Sequence, residues 1–350
     1  MTLAHTRKFQ TRFALCLLCV SGAVAAQTQP YTADAMWRLK RLGDPAISPD
    51  GRMAVVPVTS NDIAENKADT DLWLVPTKPG RARPLTSGEA SDDSPSWSPD
   101  GQLIAFVSKR GDDEQSQLYV IPVDGGEGSR VTDVPTGVLA PKWFPDSKRI
   151  AFISQVWPDL KTWNEMRQRM KERAEPKMSA RVWDKAPISH WDQFLDDRAT
   201  HVYSVSIEGG EPVPLTLRSG LSLDIAEPDI YSYDLAPDGT EIAFAADVDR
   251  TGVDQNFDVF VMPLESGEPT NITSANTADD VSPMYSPDGR LIAWRQQRIK
   301  DFYGDRARLM LSDRRNRNSR SLTEEWDRSA DGLVWSPDSD ALFGSMDGAG

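Results

Sequence analysis

The sequence predicts an all-β fold: a β-propeller of four-stranded blades, with five full repeats, a partial sixth and a helical insertion in the third blade. The first observation is a recurring turn. Ser48-Pro49-Asp50-Gly51 returns as Ser98-Pro99-Asp100-Gly101, Phe144-Pro145-Asp146-Ser147, Ala236-Pro237-Asp238-Gly239, Ser286-Pro287-Asp288-Gly289 and Ser336-Pro337-Asp338-Ser339. The intervals are 50, 46, 92, 50 and 50 residues, and a repeat of roughly 40–50 residues is that of propeller blades. The second observation is that each interval holds four short runs rich in β-branched and aromatic residues, bounded by Gly, Pro and Asp.

Within a repeat the turn joins strands one and two. Ser or Ala opens a type I turn, Pro presets φ, Asp bonds the backbone two residues on, and Gly takes the left-handed position. Strand two recurs as Leu103-Ile104-Ala105-Phe106, Ile150-Ala151-Phe152, Ile242-Ala243-Phe244 and Leu291-Ile292-Ala293-Trp294. Strand three recurs as Leu72-Trp73-Leu74-Val75, Leu118-Tyr119-Val120-Ile121, Val202-Tyr203-Ser204-Val205 and Val259-Phe260-Val261-Met262. Strand four ends at Thr86, Thr132, Thr216, Thr273 and Thr323. Gly125-Gly126, Gly209-Gly210 and Gly267 serve the turn before it.

The 92-residue interval holds the insertion, about 155–200. Strand two of the third blade ends near Ser154, and strand three begins only at His201. Leu160 to Ala174 carries Trp163, Met166 and Met170 at helical spacing before Pro176. The sixth repeat has strands at Leu333-Val334-Trp335 and Ala341-Leu342-Phe343-Gly344. Residues 47–350 thus read as an incomplete propeller belonging to a longer protein, because an unclosed ring exposes strand edges.

Ahead of the propeller, residues 1–26 read as an export signal. Arg7, Lys8 and Arg12 precede an apolar stretch from Phe13 to Val20 and a small-residue site at Ala23-Val24-Ala25-Ala26. The apolar run is too short for a membrane span, which needs about 20 residues. Residues 27–46 lead into the first blade. Cys16 and Cys19 both lie in the signal, so the 324 remaining residues hold no thiol. Cleavage removes three bases and no acid, shifting the net charge from −14 to −17. That charge disfavours nucleic acid and anionic lipid as partners.

Strand parity places the one–two and three–four turns on one face. The two–three loops and blade-to-blade connections lie on the other, with the insertion. Asp92-Asp93 and Asp279-Asp280 are expected on this second face as solvated loop residues, since no calcium-loop spacing surrounds them. Four residues of the insertion, His190, Trp191, Asp196 and Asp197, are candidates for gating or binding substrate. The aspartates could hold a cationic amino terminus through charge-assisted hydrogen bonds, against the alternative of a solvated acidic loop. His201, opening a strand, is expected to pack. No Gly-x-Ser-x-Gly elbow occurs, no histidine follows His201, and no phosphate, zinc or dinucleotide motif is present. No catalytic residue, metal or cofactor is expected in this chain.

The turn repeats with their Ile-Ala-Phe and Leu-Thr strands resemble the propellers of TolB-type and prolyl-oligopeptidase-family proteins. Two segments resemble secreted bacterial dipeptidyl or acylaminoacyl peptidases: Trp37 to Gly51, and Trp183-Asp184-Lys185 with His190 to Arg198. The resemblance implies a two-domain serine peptidase, with an amino-terminal propeller followed by an α/β-hydrolase domain carrying a Ser-Asp-His triad. It implies peptide substrates reached through that parent enzyme, and a propeller that restricts access to short ones. No triad residue of the family matches a position in this sequence. The alternative is a TolB-like periplasmic binding scaffold.

Overall fold

In the computed structural model, residues 32–175, 189–190, 193–195, 197–249 and 255–345 are described. Residues 1–26, the expected export signal, lie outside them. Five antiparallel sheets and a two-stranded sixth form the blades in chain order, and a further two-stranded pairing, Ser189–His190 with Gln193–Phe194, lies in the insertion. Blade 1 pairs Met53–Asp62 with Lys67–Pro76 and Arg83–Pro84, its inner strand being split into Arg41–Leu42 and Ala46–Ile47. Blade 2 consists of Asp92–Trp97, Leu103–Ser108, Gln117–Pro122 and Ser129–Arg130. Blade 3 consists of Leu139–Trp143, Arg149–Val156, Ala199–Ser206 and Val213–Pro214. The long interval is therefore an insertion between strands two and three, as its position in the repeat predicts.

Blade 4 is Tyr233–Leu235, Glu241–Asp247, Phe257–Pro263 and Thr270–Asn271. Blade 5 is Asp280–Tyr285, Leu291–Gln296, Arg308–Asp313 and Ser319–Ser321, and blade 6 pairs Asp331–Trp335 with Leu342–Ser345.

The turns form as their chemistry requires. In blade 2 the Ser98 hydroxyl donates to Asp100 Oδ1 at 2.6 Å and accepts the Leu103 amide at 2.9 Å, while Gly101 sits at φ +71°. Where serine replaces glycine, Ser147 and Ser339 still hold φ of +55° and +65°. Each side chain offsets that strain by tying two blades together: Ser147 Oγ accepts the Asp100 amide at 3.1 Å, and Ser339 Oγ the Asp288 amide at 3.0 Å.

The Ile-Ala-Phe motif explains how blades stack. In strand two the alanine and the aromatic residue point to opposite faces. Ala105 is fully buried with Phe152 of the next blade, Ala151 with Phe244, and Ala243 with Trp294. At these three interfaces a small residue and a large one from adjacent blades share one core, a combination that suits interior packing density. Blade 6 inverts the order: Phe343 stands where blades 2–5 have alanine and is 63% exposed.

The threonines ending strand four make five equivalent bonds. Thr86, Thr132, Thr216, Thr273 and Thr323 accept the amides of Leu72, Leu118, Val202, Val259 and Leu309, each at 2.9 Å and each 14 residues apart. All five hydroxyls are buried. Thr132 also donates to Gln117 Oε1 at 2.8 Å. Thr132→Val keeps the shape but orphans the Leu118 amide, with an expected loss of about 2 kcal/mol in denaturant unfolding. Thr132→Ser should stay near wild type, and equal stabilities for the two variants would refute this role for the hydroxyl.

Candidate functional site

The inner strands are not regular. Ser94, Ala140, Ser282 and Gly332, each four residues before a turn, have φ of +51°, +50°, +58° and +58°, and the strand register shifts at each. Such bulges bend a strand and re-aim its side chains. The sequence signal is a small residue, followed in three cases by proline.

Just before two of these bulges lie Asp92 and Asp280, six residues ahead of their turns. Contrary to the expectation of solvated loops, they are 1% and 0% exposed; each begins an inner strand rather than a loop. The same position is balanced in two ways. Asp92 takes both bonds of the Arg110 guanidinium, at 2.6 and 3.2 Å, and that guanidinium lies over the Phe106 and Tyr119 rings. Asp280 meets only neutral donors: Trp294 Nε1 at 2.7 Å, and Gln296 Nε2 and Asn276 Nδ2 at 2.9 Å. Burial, with the nearby Asp258 charge, pushes the Asp280 carboxyl up to about 6 against these hydrogen bonds. Burial also raises Asp279, reinforced by Asp224, Asp258 and Asp301, and it raises Asp247 and Asp258. Blades 4 and 5 therefore gather partly buried carboxyl groups toward the loop face. No group of three His, Cys, Asp or Glu side chains able to hold a metal ion occurs among the described residues.

The insertion helix, Trp163–Ala174, starts at a capping box in which Thr162 and Glu165 satisfy each other's backbone. Met166 is buried, and Trp163 tilts against Tyr203 with ring centres 5.0 Å apart. Arg167 reaches Asp133 at 3.0 Å, so the helix also holds the connection from blade 2 to blade 3. Its last turn contacts Asp197: Arg173 donates to both carboxylate oxygens at 2.7 Å, and Trp157 Nε1 donates to one at 2.8 Å. The Arg173 bonds, joined by the Trp157 bond and against partial burial, hold the Asp197 carboxyl down at about 2. In this arrangement Asp197 anchors the helix.

Of the other candidates, His190 ends a two-residue strand paired with Gln193–Phe194, and Trp191 and Asp196 lie outside the described residues. His201 packs as expected: it is 3% exposed, with Nδ1 3.3 Å from the Thr216 hydroxyl, and burial pushes its pKa down to about 4. A cavity of about 480 Å³ between blade 2 and the insertion helix is lined by Arg110, Asp113, Tyr119, Arg130, Asp133 and Arg167. Its arginines are all engaged by Asp92, Asp113 or Asp133.

Within the loops and turns, exposed large apolar side chains gather on one side. Ile63, Tyr231, Val248, Ile299, Phe302, Tyr303 and Trp326 are exposed in two–three loops or blade-to-blade connections. Among the described residues, no exposed large apolar side chain lies in a one–two or three–four turn. These side chains belong to several blades but share one side of the repeat. No described helix is long and apolar enough to cross a membrane.

Comparison with known proteins agrees with this architecture. Residues 39–191 match the TolB beta propeller domain family. Dipeptidyl-peptidase 5 of Porphyromonas gingivalis is 28% identical over 335 residues, covering 89% of this chain and 45% of that protein. The Pyrococcus horikoshii acylaminoacyl peptidase structure superposes with a TM-score of 0.62 at 14% identity, over 89% of this chain and 43% of that one. A TolB of Agrobacterium tumefaciens gives 0.51 at 20% identity, over 89% and 91%. The chain thus spans less than half the length of the peptidase relatives it matches. It is a β-propeller, homologous to dipeptidyl-peptidase 5 proteins and resembling the amino-terminal part of dipeptidyl and acylaminoacyl peptidases.

Proposed function

We propose that this propeller is the substrate-gating part of an exported serine peptidase of short peptides. In this reading its loop face is turned toward an α/β-hydrolase domain supplied by the whole protein. The observation that carries the reading is the sequence relation to dipeptidyl-peptidase 5 over 89% of the chain. The loop face supports it, because acidic groups of blades 4 and 5, exposed apolar side chains and the insertion of blade 3 share that side of the disc. Such a surface would meet a partner domain and favour a cationic peptide end over an anionic one.

The whole protein is expected to hydrolyse dipeptidyl or acylaminoacyl chromogenic substrates and to be silenced by a serine-directed fluorophosphonate. Residues 27–350 alone are expected to be inert, having neither a nucleophile elbow nor a histidine after His201. Fluorophosphonate-sensitive turnover by residues 27–350 would place a nucleophile in the propeller and overturn the reading. Cell fractionation tests export.

A second reading is a TolB-like scaffold acting through protein contacts. It is favoured by the fit to a TolB over 91% of that protein's length. An inactive whole protein that co-purifies with envelope proteins would decide for it.

A further inference from the structure

The turn face, which the proposed gating role does not use, has a charge pattern that the repeat itself exposes. The three–four turns of blades 2, 3 and 4 each carry two acids and no base: Asp124 and Glu127, Glu208 and Glu211, Glu265 and Glu268. The equivalent turn of blade 1 instead carries Lys78 and Arg81, and that of blade 5 leads into Arg315, Arg317 and Arg320.

All of these side chains are exposed, and none is neutralised by an ion pair within the described residues. Arg314 differs, being held by Asp238 at 2.9 Å and Glu241 at 3.2 Å. The blade 5 turn is rigid. Asp313 Oδ1 accepts the Arg315 and Asn316 amides at 2.9 and 3.1 Å, and the Arg317 amide closes on the Asp313 carbonyl at 2.8 Å. The Asp313 carboxylate is thereby used inside the turn. The one–two turns add an aspartate in every blade, with Arg52 in blade 1, Lys148 and Arg149 in blade 3 and Arg290 in blade 5. Arg83 also reaches the Val123 carbonyl beside Asp124. Acids still outnumber bases across blades 2 to 4, and the three–four turns set that contrast.

Blades 2, 3 and 4 are consecutive, so their acids form one arc, flanked by the bases of blades 1 and 5. A face with a net excess of acid in one sector and exposed unpaired bases beside it is complementary to itself. We propose that the turn face associates with the turn face of a second copy of this chain, the basic turn of blade 5 lying on the acidic arc of its partner. A two-fold axis in the plane of the contact satisfies both halves at once, as an isologous interface requires. The face carries no exposed large apolar side chain in these turns, so charge supplies the attraction, and salt must weaken it.

The test is sedimentation velocity on the whole protein. A dimer is expected at low ionic strength, weakened roughly tenfold or more between about 50 and 500 mM salt. Arg315→Glu/Arg317→Glu/Arg320→Glu should abolish it. So should Glu208→Lys/Glu211→Lys/Glu265→Lys/Glu268→Lys, and an equimolar mixture of the two variants should dimerise again. The two sets lie in different blades, and thermal unfolding verifies each fold separately. A protein that stays monomeric at low salt overturns the proposal, as does a dimer indifferent to both reversals, or a mixture that does not recover. Capture of a polyanion such as heparin by the blade 5 arginines, without self-association, would also overturn it.

Discussion

Asp92→Ala is expected to cost about 3 kcal/mol of stability, read as a lower denaturant midpoint with an unchanged m-value. The substitution leaves the Arg110 guanidinium, whose side chain is 27% exposed, without its two carboxylate bonds and between two aromatic rings. Breaking a pair by removing one partner costs more than the pair contributes, because the remaining charge stays desolvated. Arg110 keeps the Ser108 hydroxyl at 3.1 Å, which cannot balance its charge. Replacing both partners, as Asp92→Asn/Arg110→Met, should recover part of the loss. A single-variant loss below about 0.5 kcal/mol would show that Asp92 is an ordinary surface residue after all.

Asp280 predicts a pH dependence of similar size and distinct origin. Its carboxyl titrates near 6 in the fold against 3.8 for the ordinary group, so the native state holds the proton more tightly than the unfolded chain. The sign follows: the stabilisation is fully present below about pH 4 and is lost as pH rises through about 6. The difference corresponds to up to about 3 kcal/mol. Asp280→Asn keeps an acceptor for Trp294 and Gln296 but cannot titrate. Its melting temperature relative to wild type should therefore climb between pH 4 and pH 7. A constant offset across that range would contradict the assignment. Asp197 works in the opposite direction. Depressed to about 2 by Arg173, it contributes above the ordinary carboxylate range, and that contribution is lost as pH falls through about 2.

The contrast between Asp92 and Asp280 shows where reading residues in order stops. Both are aspartates beside a second aspartate, six residues ahead of a turn, and both read as solvated loops. Nothing local separates a loop from the first residue of an inner strand; burial there is imposed by neighbouring blades. Arg110 lies 18 residues from Asp92 along the chain, and Trp294 lies 14 from Asp280. The partners that bind each carboxyl group are known only once strands one and two are paired. The insertion helix divides the same way. Its capping box and its Trp163, Met166 and Met170 spacing are local and legible, whereas its anchor, Arg173 on Asp197 and Trp157, joins the two ends of a long excursion.

The residue pattern by itself determined five full repeats and a partial sixth along this chain, the place of the insertion and the threonine endings. These depend on turn chemistry and on a period carried by contiguous residues, which need no distant partner. The Ala-Phe pair in strand two was visible as a repeat, but its purpose was not. Only the stacked blades show the alanine seated under the next blade's aromatic ring and the phenylalanine turned to the blade before. The tertiary structure likewise decided which aspartates are buried, where inner strands bulge, and that the exposed apolar side chains of the loops lie opposite the charged three–four turns. Each of these depends on residues far apart in the chain being brought onto a common surface, and sequence order carries no record of that distance.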